Sequence, residues 1–289
     1  MPGHRSISTS GREPENPSVI RLGAVPYLNV EPLIWGLRSL GDRVRLVPAT
    51  PRRLAQLLEA NEVDAGITPT GHVLESAGRL RIVPGVAIGC DGPVESVLLL
   101  SKVAPERIRS LLIDASSMTS ALLGQVILRD LHGCAPHAEL SAAPVEDARN
   151  FLRGPHDALV VIGDAALAAP HEAFPFVVDL GDAWKRLTGL PFVFAVWGAR
   201  ADAPPERLAE IARVLVEAAR AGAENIEAVS LDSTARHPFD VARALAYLRD
   251  SIRFELGPPQ VEAIREFARR VARHRLIPCD AEITLNFIL

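Results

Sequence analysis

No stretch of the chain could serve as a membrane-spanning helix: hydrophobic residues make up 48% of its 289 positions, but they fall in short runs, far from the ~20 consecutive apolar residues that cross a bilayer. An excess of charge of either sign is also missing. Thirty-one Lys and Arg are mixed with 35 Asp and Glu for a net charge of −4, which leaves no basic footprint for a phosphate backbone, so nucleic acid is not an expected partner. Cysteine is limited to Cys90, Cys134 and Cys279, an odd number without Cys-x-x-Cys spacing, which excludes a disulfide framework and suits reduced thiols. The eight histidines are scattered, and His132 and His137 have no third ligand-like neighbour, so no metal is expected. Also missing are a glycine-rich phosphate loop of the Walker kind, a Ser/His/Asp ordering and an activated Cys/His pair, which argues against nucleotide chemistry and against a hydrolase.

What is present is an ordinary globular pattern, long enough for two lobes or one large α/β domain. The opening MPGHRSISTSGREPENPS is polar and rich in Pro, Ser and Gly; it reads as a flexible tail over residues 1–19 and lacks the apolar centre of a secretory signal, so a cytoplasmic location is expected. From VIRLGAV to VDAGIT the chain reads βαβαβ. In TPRRLAQLLEANE, Thr50 can cap, Pro51 suits the first helical position, and Leu54, Leu57 and Leu58 share a face. Such alternation predicts a mostly parallel sheet covered on both sides.

The pattern changes in GVAIGCDGPVESVLLLSK, where Asp91, Gly92 and Pro93 signal a turn at which the chain is expected to double back. A second α/β set follows: strand SLLIDAS, helix TSALLGQVILRDL, strand ALVVIGDAAL. LPFVFAVW reads as a strand that spans from one lobe to the other, and amphipathic helices in PPERLAEIARVLVEAARA and PPQVEAIREFARRVARH close the chain. The expectation is a hinged clamp with ligand chemistry between lobes. Its discontinuous first lobe is drawn over residues 20–105 and 199–289, its second over 106–198.

Several residues fall where strand ends meet helix starts. In PYLNVEP, Tyr27 and Asn29 sit between a strand and a helix; Asn29 can donate and accept, and it suits either an N-cap or a ligand contact, as Tyr27 suits packing or a ligand. Ser116, Ser117, Thr119 and Ser120 crowd one helix start, where capping needs a single such residue and the free N–H groups favour an anion, a carboxylate rather than a nucleotide. Ser96 stands just after the turn and reads as strand packing or a ligand contact, and Asp91 reads as a turn former. Asp164 after Gly163 suits a cap or a partner for a hydroxyl. Phe192 and Phe194 alternate onto one side of a strand, either as core or as a wall for a ring.

Taken together, PYLNVEPLIWGL, VAIGCDGPVESVLLLS, SSMTS, VVIGDAAL and DLGDAWKRLTGLPFVFAVW resemble the chorismate dehydratases of menaquinone biosynthesis, from about Arg21 to the C-terminus. The Tyr-Leu-Asn and Trp-Lys…Thr-Gly-Leu-Pro-Phe-Val-Phe-Ala segments are specific; the helical tail is generic. The resemblance implies the type II periplasmic-binding-protein fold, with two α/β lobes, a cleft and a hinge. It also implies removal of water from chorismate to give 3-[(1-carboxyvinyl)oxy]benzoate in the futalosine route, without metal or organic cofactor. By motif, Asn29 and Ser96 match the family's catalytic positions, and Thr119 and Ser120 its anion-binding helix start; Ser117, Tyr27 and Asp164 are further substrate-binding candidates. The family more often has an acidic residue where this chain has His72, on the rim of the cleft or outside it. Two other readings stay open: a cytoplasmic carboxylate-binding protein without catalysis, and a 1,4-dihydroxy-6-naphthoate synthase, whose family opens with a Cys-Pro-Asn-Asp type segment instead of PYLNVEP.

Overall fold

The computed structural model describes residues 19–278 and 285–288. The tail expected over residues 1–19 lies outside them except for Val19, and so does Cys279. The strands in chain order are β1 (Ile20–Ala24), β2 (Val44–Pro48), β3 (Ala65–Pro69), β4 (Leu80–Cys90), β5 (Val97–Ser101), β6 (Ser110–Ile113), β7 (His137–Leu140), β8 (Ala158–Ile162), β9 (Phe176–Asp179), β10 (Phe192–Arg200) and β11 (Arg253–Leu256).

They form two sheets, one with the order β11-β4-β10-β3-β1-β2 and the other β7-β6-β8-β5-β9. Each is the centre of an α/β lobe. The βαβαβ start is as read: β1 pairs in parallel with β2 and β3, and the helix Pro51–Glu59 buries Leu54, Leu57 and Leu58. Thr50 precedes that helix without a side-chain capping bond.

Four expectations are corrected. The first sheet is mixed, because β10 returns from the second lobe and inserts between β3 and β4, antiparallel to both. The chain does not double back at Asp91–Pro93, since β4 ends in the first sheet and β5 starts in the second. The boundaries drawn at 105/106 and 198/199 accordingly move towards the N-terminus: sheet membership changes between Cys90 and Val97, and again between Asp179 and Phe192. β10 therefore does not span the lobes; all of it belongs to the first sheet, where Phe192 lies opposite Cys90.

The crossing at residues 91–96 is tied to the second lobe by Asp179. This carboxylate caps the helix Leu180–Thr188 by accepting from the N–H groups of Gly181 and Asp182, and it also accepts from those of Val94 and Glu95. Four backbone donors on one carboxylate fix the direction in which the crossing chain enters β5.

The segment that carries Tyr27 and Asn29 is set by close helix packing. Helix Glu31–Trp35 lies against helix Pro205–Glu224, and at Gly222 a β-carbon would come within 1.8 Å of the Pro32 carbonyl oxygen. Any larger residue would push the 27–35 segment away from its lobe.

Candidate active site

Between the two sheets lies a cleft whose wall includes Tyr27, Asn29, Ser96, Ser116, Thr119 and Ser120. Six of the singled-out positions, separated by up to 93 residues in sequence, thus converge. Apolar side chains of Ile67, Ile88, Val94, Met118, Ile162 and Phe194 line the rest.

Asn29 sits in a short turn of 3₁₀ helix, Leu28–Val30, and makes no capping bond to the helix that follows. Its carboxamide oxygen is buried without a hydrogen-bond partner, a state that costs on the order of 1–3 kcal/mol unless a ligand or water supplies a donor. Tyr27 is the residue that opens the same turn and lines the cleft too. Its ring lies against Gly163, where a β-carbon would come within 3.0 Å and where φ is +63°. Gly163 is therefore required twice, by the left-handed backbone and by the ring. The Tyr27 hydroxyl donates to Ser116 Oγ across the lobes at 3.3 Å, and burial raises its pKa above the ordinary phenol value.

Ser96 is buried, and its Oγ accepts from the hydroxyl of Tyr247 at 2.7 Å. Tyr247 has no exposed surface; burial pushes its pKa up, opposed by hydrogen bonding to Ser96 and Asn29. With the tyrosine proton given to Ser96, the serine's own O–H is free to donate into the cleft.

The helix Thr119–His132 starts at the cleft with Met118 as its N-cap and no side-chain capping bond. Its crowd of hydroxyls is used elsewhere. Ser116 donates to Asp114 at 2.5 Å. Thr119 donates to the Phe194 carbonyl at 2.8 Å and accepts from the Gly71 N–H at 3.0 Å, both in the first lobe. Ser120 faces the cleft, and among the described residues nothing bonds its hydroxyl. The first-turn N–H groups of this helix are thus left to a ligand, together with the positive end of its dipole.

Other singled-out residues stand apart. Ser117 is buried, its hydroxyl is unpartnered, and it is not on the wall. Asp164 is also off the wall: its oxygens accept from the Leu28 N–H at 3.1 Å and face His237 at 2.6 Å. Asp91 pairs with Lys185 at 2.6 Å near the surface. Phe194 lines the cleft, and Phe192, whose ring packs edge-on against that of Phe194 at 4.7 Å, continues the same side into the core against Trp184 and Phe267. His72 is buried outside the cleft, with burial lowering its pKa and Glu59 the nearest carboxylate at 3.9 Å. Cys90 and Cys134 are free thiols, and burial pushes Cys90 up to about 12, so it is no thiolate nucleophile.

The chain as a whole has relatives among known proteins. A family model described as menaquinone biosynthesis matches residues 20–273. The chain belongs to that family. It is 30% identical over 267 residues to a chorismate dehydratase from Thermus thermophilus, covering 86% of this chain and 93% of the relative. Among solved structures, a protein from Archaeoglobus fulgidus superposes with a TM-score of 0.73 at 14% identity, covering 91% of this chain and all of that one. The periplasmic aliphatic sulphonate binding protein SsuA from Escherichia coli does so with a TM-score of 0.62 at 17% identity, covering 93% of this chain and 96% of that one. The likeness to SsuA shows the periplasmic-binding-protein fold for this member of the menaquinone-biosynthesis family.

The site of this family member also contains residues that the sequence reading did not single out. Tyr247, Glu31 and His237 carry its buried polar links, and Ile252 and Met118 are on its wall. One signal for Tyr247 was available: the chain has only two tyrosines, and the other is Tyr27. His237 offered none, since its partners lie 73 and 206 residues away. Among the described residues, no helix is long and apolar enough to cross a membrane.

Proposed function

We propose that the chain is a chorismate dehydratase, which eliminates water from chorismate to give 3-[(1-carboxyvinyl)oxy]benzoate on the futalosine route of menaquinone biosynthesis. Family membership and the Thermus thermophilus relative support the substrate. The observation that carries the assignment to this cleft is the unpartnered carboxamide oxygen of Asn29, buried on the same wall as Ser96.

Chorismate carries two carboxylates, a hydroxyl and a cyclohexadiene ring. The start of helix Thr119–His132, with Ser120, suits one carboxylate; Phe194 and the aliphatic wall suit the ring. Among the described residues, no histidine and no thiolate faces the cleft, and the carboxylates nearby are committed to partners. The substrate's own enolpyruvyl carboxylate is then the base that takes the C3 proton; the C3–H electron pair forms the C3=C4 bond as the C4–O bond breaks, and the captured proton passes to the departing hydroxyl to give water, with the gain of an aromatic ring as driving force. Asn29 and Ser96 orient the reacting groups, and holding base and C–H in near-attack geometry is worth several orders of magnitude.

Incubating the purified protein with chorismate, and following the aromatic product by absorbance and mass, tests the reaction. Asn29→Ala is expected to lower turnover by roughly a hundredfold or more, a positioning-scale effect, with little change in stability. Wild-type turnover in that variant would remove Asn29 from the mechanism. Binding without conversion by the wild-type protein would favour the carboxylate carrier.

A further inference from the structure

Glu31 belongs to the first lobe and Asp164 to the second, and the imidazole of His237 lies between them. Nδ1 is 2.6 Å from Asp164 Oδ2, and Nε2 is 3.1 Å from Glu31 Oε1. An imidazole that faces a carboxylate with each nitrogen satisfies both only when both nitrogens carry hydrogen. The ring is 7% exposed. Burial opposes its charge, but the hydrogen bonds to Asp164 and Glu31 outweigh this and raise its pKa to about 9. The charged groups around it are Asp164 from helix Gly163–Leu167, Glu31 from helix Glu31–Trp35, and Arg236 on its own segment, which forks onto Glu31 at 2.9 and 2.7 Å. Arg38 and Asp232 flank that fork, and the phenols of Tyr27 and Tyr247 share the field of Asp164.

The other oxygen of Asp164 takes the N–H of Leu28, the residue between Tyr27 and the position before Asn29's neighbour Val30, in the turn that places both cleft residues. We propose that His237 is a positioning residue of the cleft, whose imidazolium fastens Asp164 of the second lobe to Glu31 of the first and so holds Tyr27 and Asn29 in register with the opposite wall. This rests on the cleft being the place of reaction. Parting of the lobes removes Asp164 from His237, so the closed form holds the proton more tightly. Closure therefore weakens as pH rises through the histidine's closed-form value, and by linkage substrate binding takes up protons above the open-form value.

Two measurements need no substrate. The His237 ring resonances of the full chain should titrate near pH 9, and in Asp164→Asn the midpoint should fall by about one unit or more. The Leu28 amide should exchange with deuterium roughly tenfold faster in Asp164→Asn and in His237→Gln, the scale of one charge-assisted hydrogen bond. With chorismate, His237→Gln should raise KM roughly tenfold at neutral pH with a smaller change in kcat, and the rise of KM above the histidine's midpoint, expected in the wild type, should be lost. A wild-type midpoint near the ordinary histidine value, or unchanged Leu28 exchange in a folded His237→Gln, overturns the proposal. Should His237→Gln fail to fold, the wild-type titration and Asp164→Asn decide alone. If titration and exchange behave as expected but chorismate is not consumed, the fastening stands and the reaction assigned to the cleft falls.

Discussion

The hydroxyl of Tyr247 donates to Ser96 Oγ at 2.7 Å, although 151 residues separate them. It joins a tyrosine without exposed surface to a serine on the cleft wall, so the orientation of the Ser96 proton is decided by a residue that no ligand touches. Tyr247→Phe keeps the ring and removes this donor. It is expected to cost about 0.5–1.5 kcal/mol of stability and to lower kcat on the order of tenfold, while Ser96→Ala lowers it further. The double variant should be no worse than Ser96→Ala alone, because the tyrosine acts through the serine. Steady-state kinetics on the three proteins checks this; additive losses would mean that Tyr247 acts by another route.

Gly163 answers for Tyr27. With φ at +63° and the tyrosine ring 3.0 Å from the place of a β-carbon, Gly163→Ala forces both a left-handed alanine and a displaced ring. The backbone cost is about 1–2 kcal/mol, and the ring must turn away from Ser116. KM for chorismate should rise several-fold, on the scale of one lost polar contact, more than kcat falls. Denaturant unfolding and kinetics on one variant read both effects, and an unchanged KM would take Tyr27 out of substrate binding.

Acid should loosen the same interlobe cluster. Burial raises the pKa of Glu31, but the hydrogen bonds from His237 and Arg236 outweigh it and hold the carboxyl at about 2, against an unfolded value of 4.5. The unfolded chain therefore binds a proton that the folded one does not, so this stabilisation is fully present above pH 4.5 and is lost as pH falls towards 2. His237 has the opposite sign: raised to about 9 from 6.5, it contributes fully below pH 6.5, and that contribution is lost as pH rises through 9. The cluster as a whole is strongest between about pH 4.5 and 6.5. Unfolding midpoints measured from about pH 2 to about pH 9 should show a plateau between two falling limbs, and Glu31→Gln should flatten the acid one.

Local signals carried much of this into view. Period-3.6 leucines in the helix Pro51–Glu59 and the strand-to-helix seams at Asn29 and Ser120 were legible because they depend on neighbours in sequence. The insertion of β10 between β3 and β4 was not, since antiparallel pairing with strands more than 100 residues earlier leaves no mark on the strand itself. The same holds within the site. Asn29 and Ser96 were found by motif, but Tyr247 and His237, which orient and fasten them, are ordinary residues of a helical tail until the chain folds back on itself. Alternation placed Phe192 and Phe194 on one side of β10, where their rings touch, but did not tell which of them reaches the wall: Phe194 lines the cleft and Phe192 lies deeper in the core.

Thr119 offers the sharpest separation of closure from chemistry. Its hydroxyl donates to the Phe194 carbonyl and accepts from the Gly71 N–H, so one buried oxygen of the second lobe satisfies two backbone groups of the first. Thr119→Val is nearly isosteric and leaves both groups unpaired, at a cost of about 1–3 kcal/mol that falls only on the closed form if water reaches them when the lobes part. Overall stability should then change little while the closed population drops by roughly tenfold or more, and KM for chorismate should rise with it. Thr119→Ser keeps the oxygen and should restore most of the affinity. If Thr119→Val lowers kcat and leaves KM untouched, the hydroxyl acts on the reacting groups rather than on the contact between the lobes.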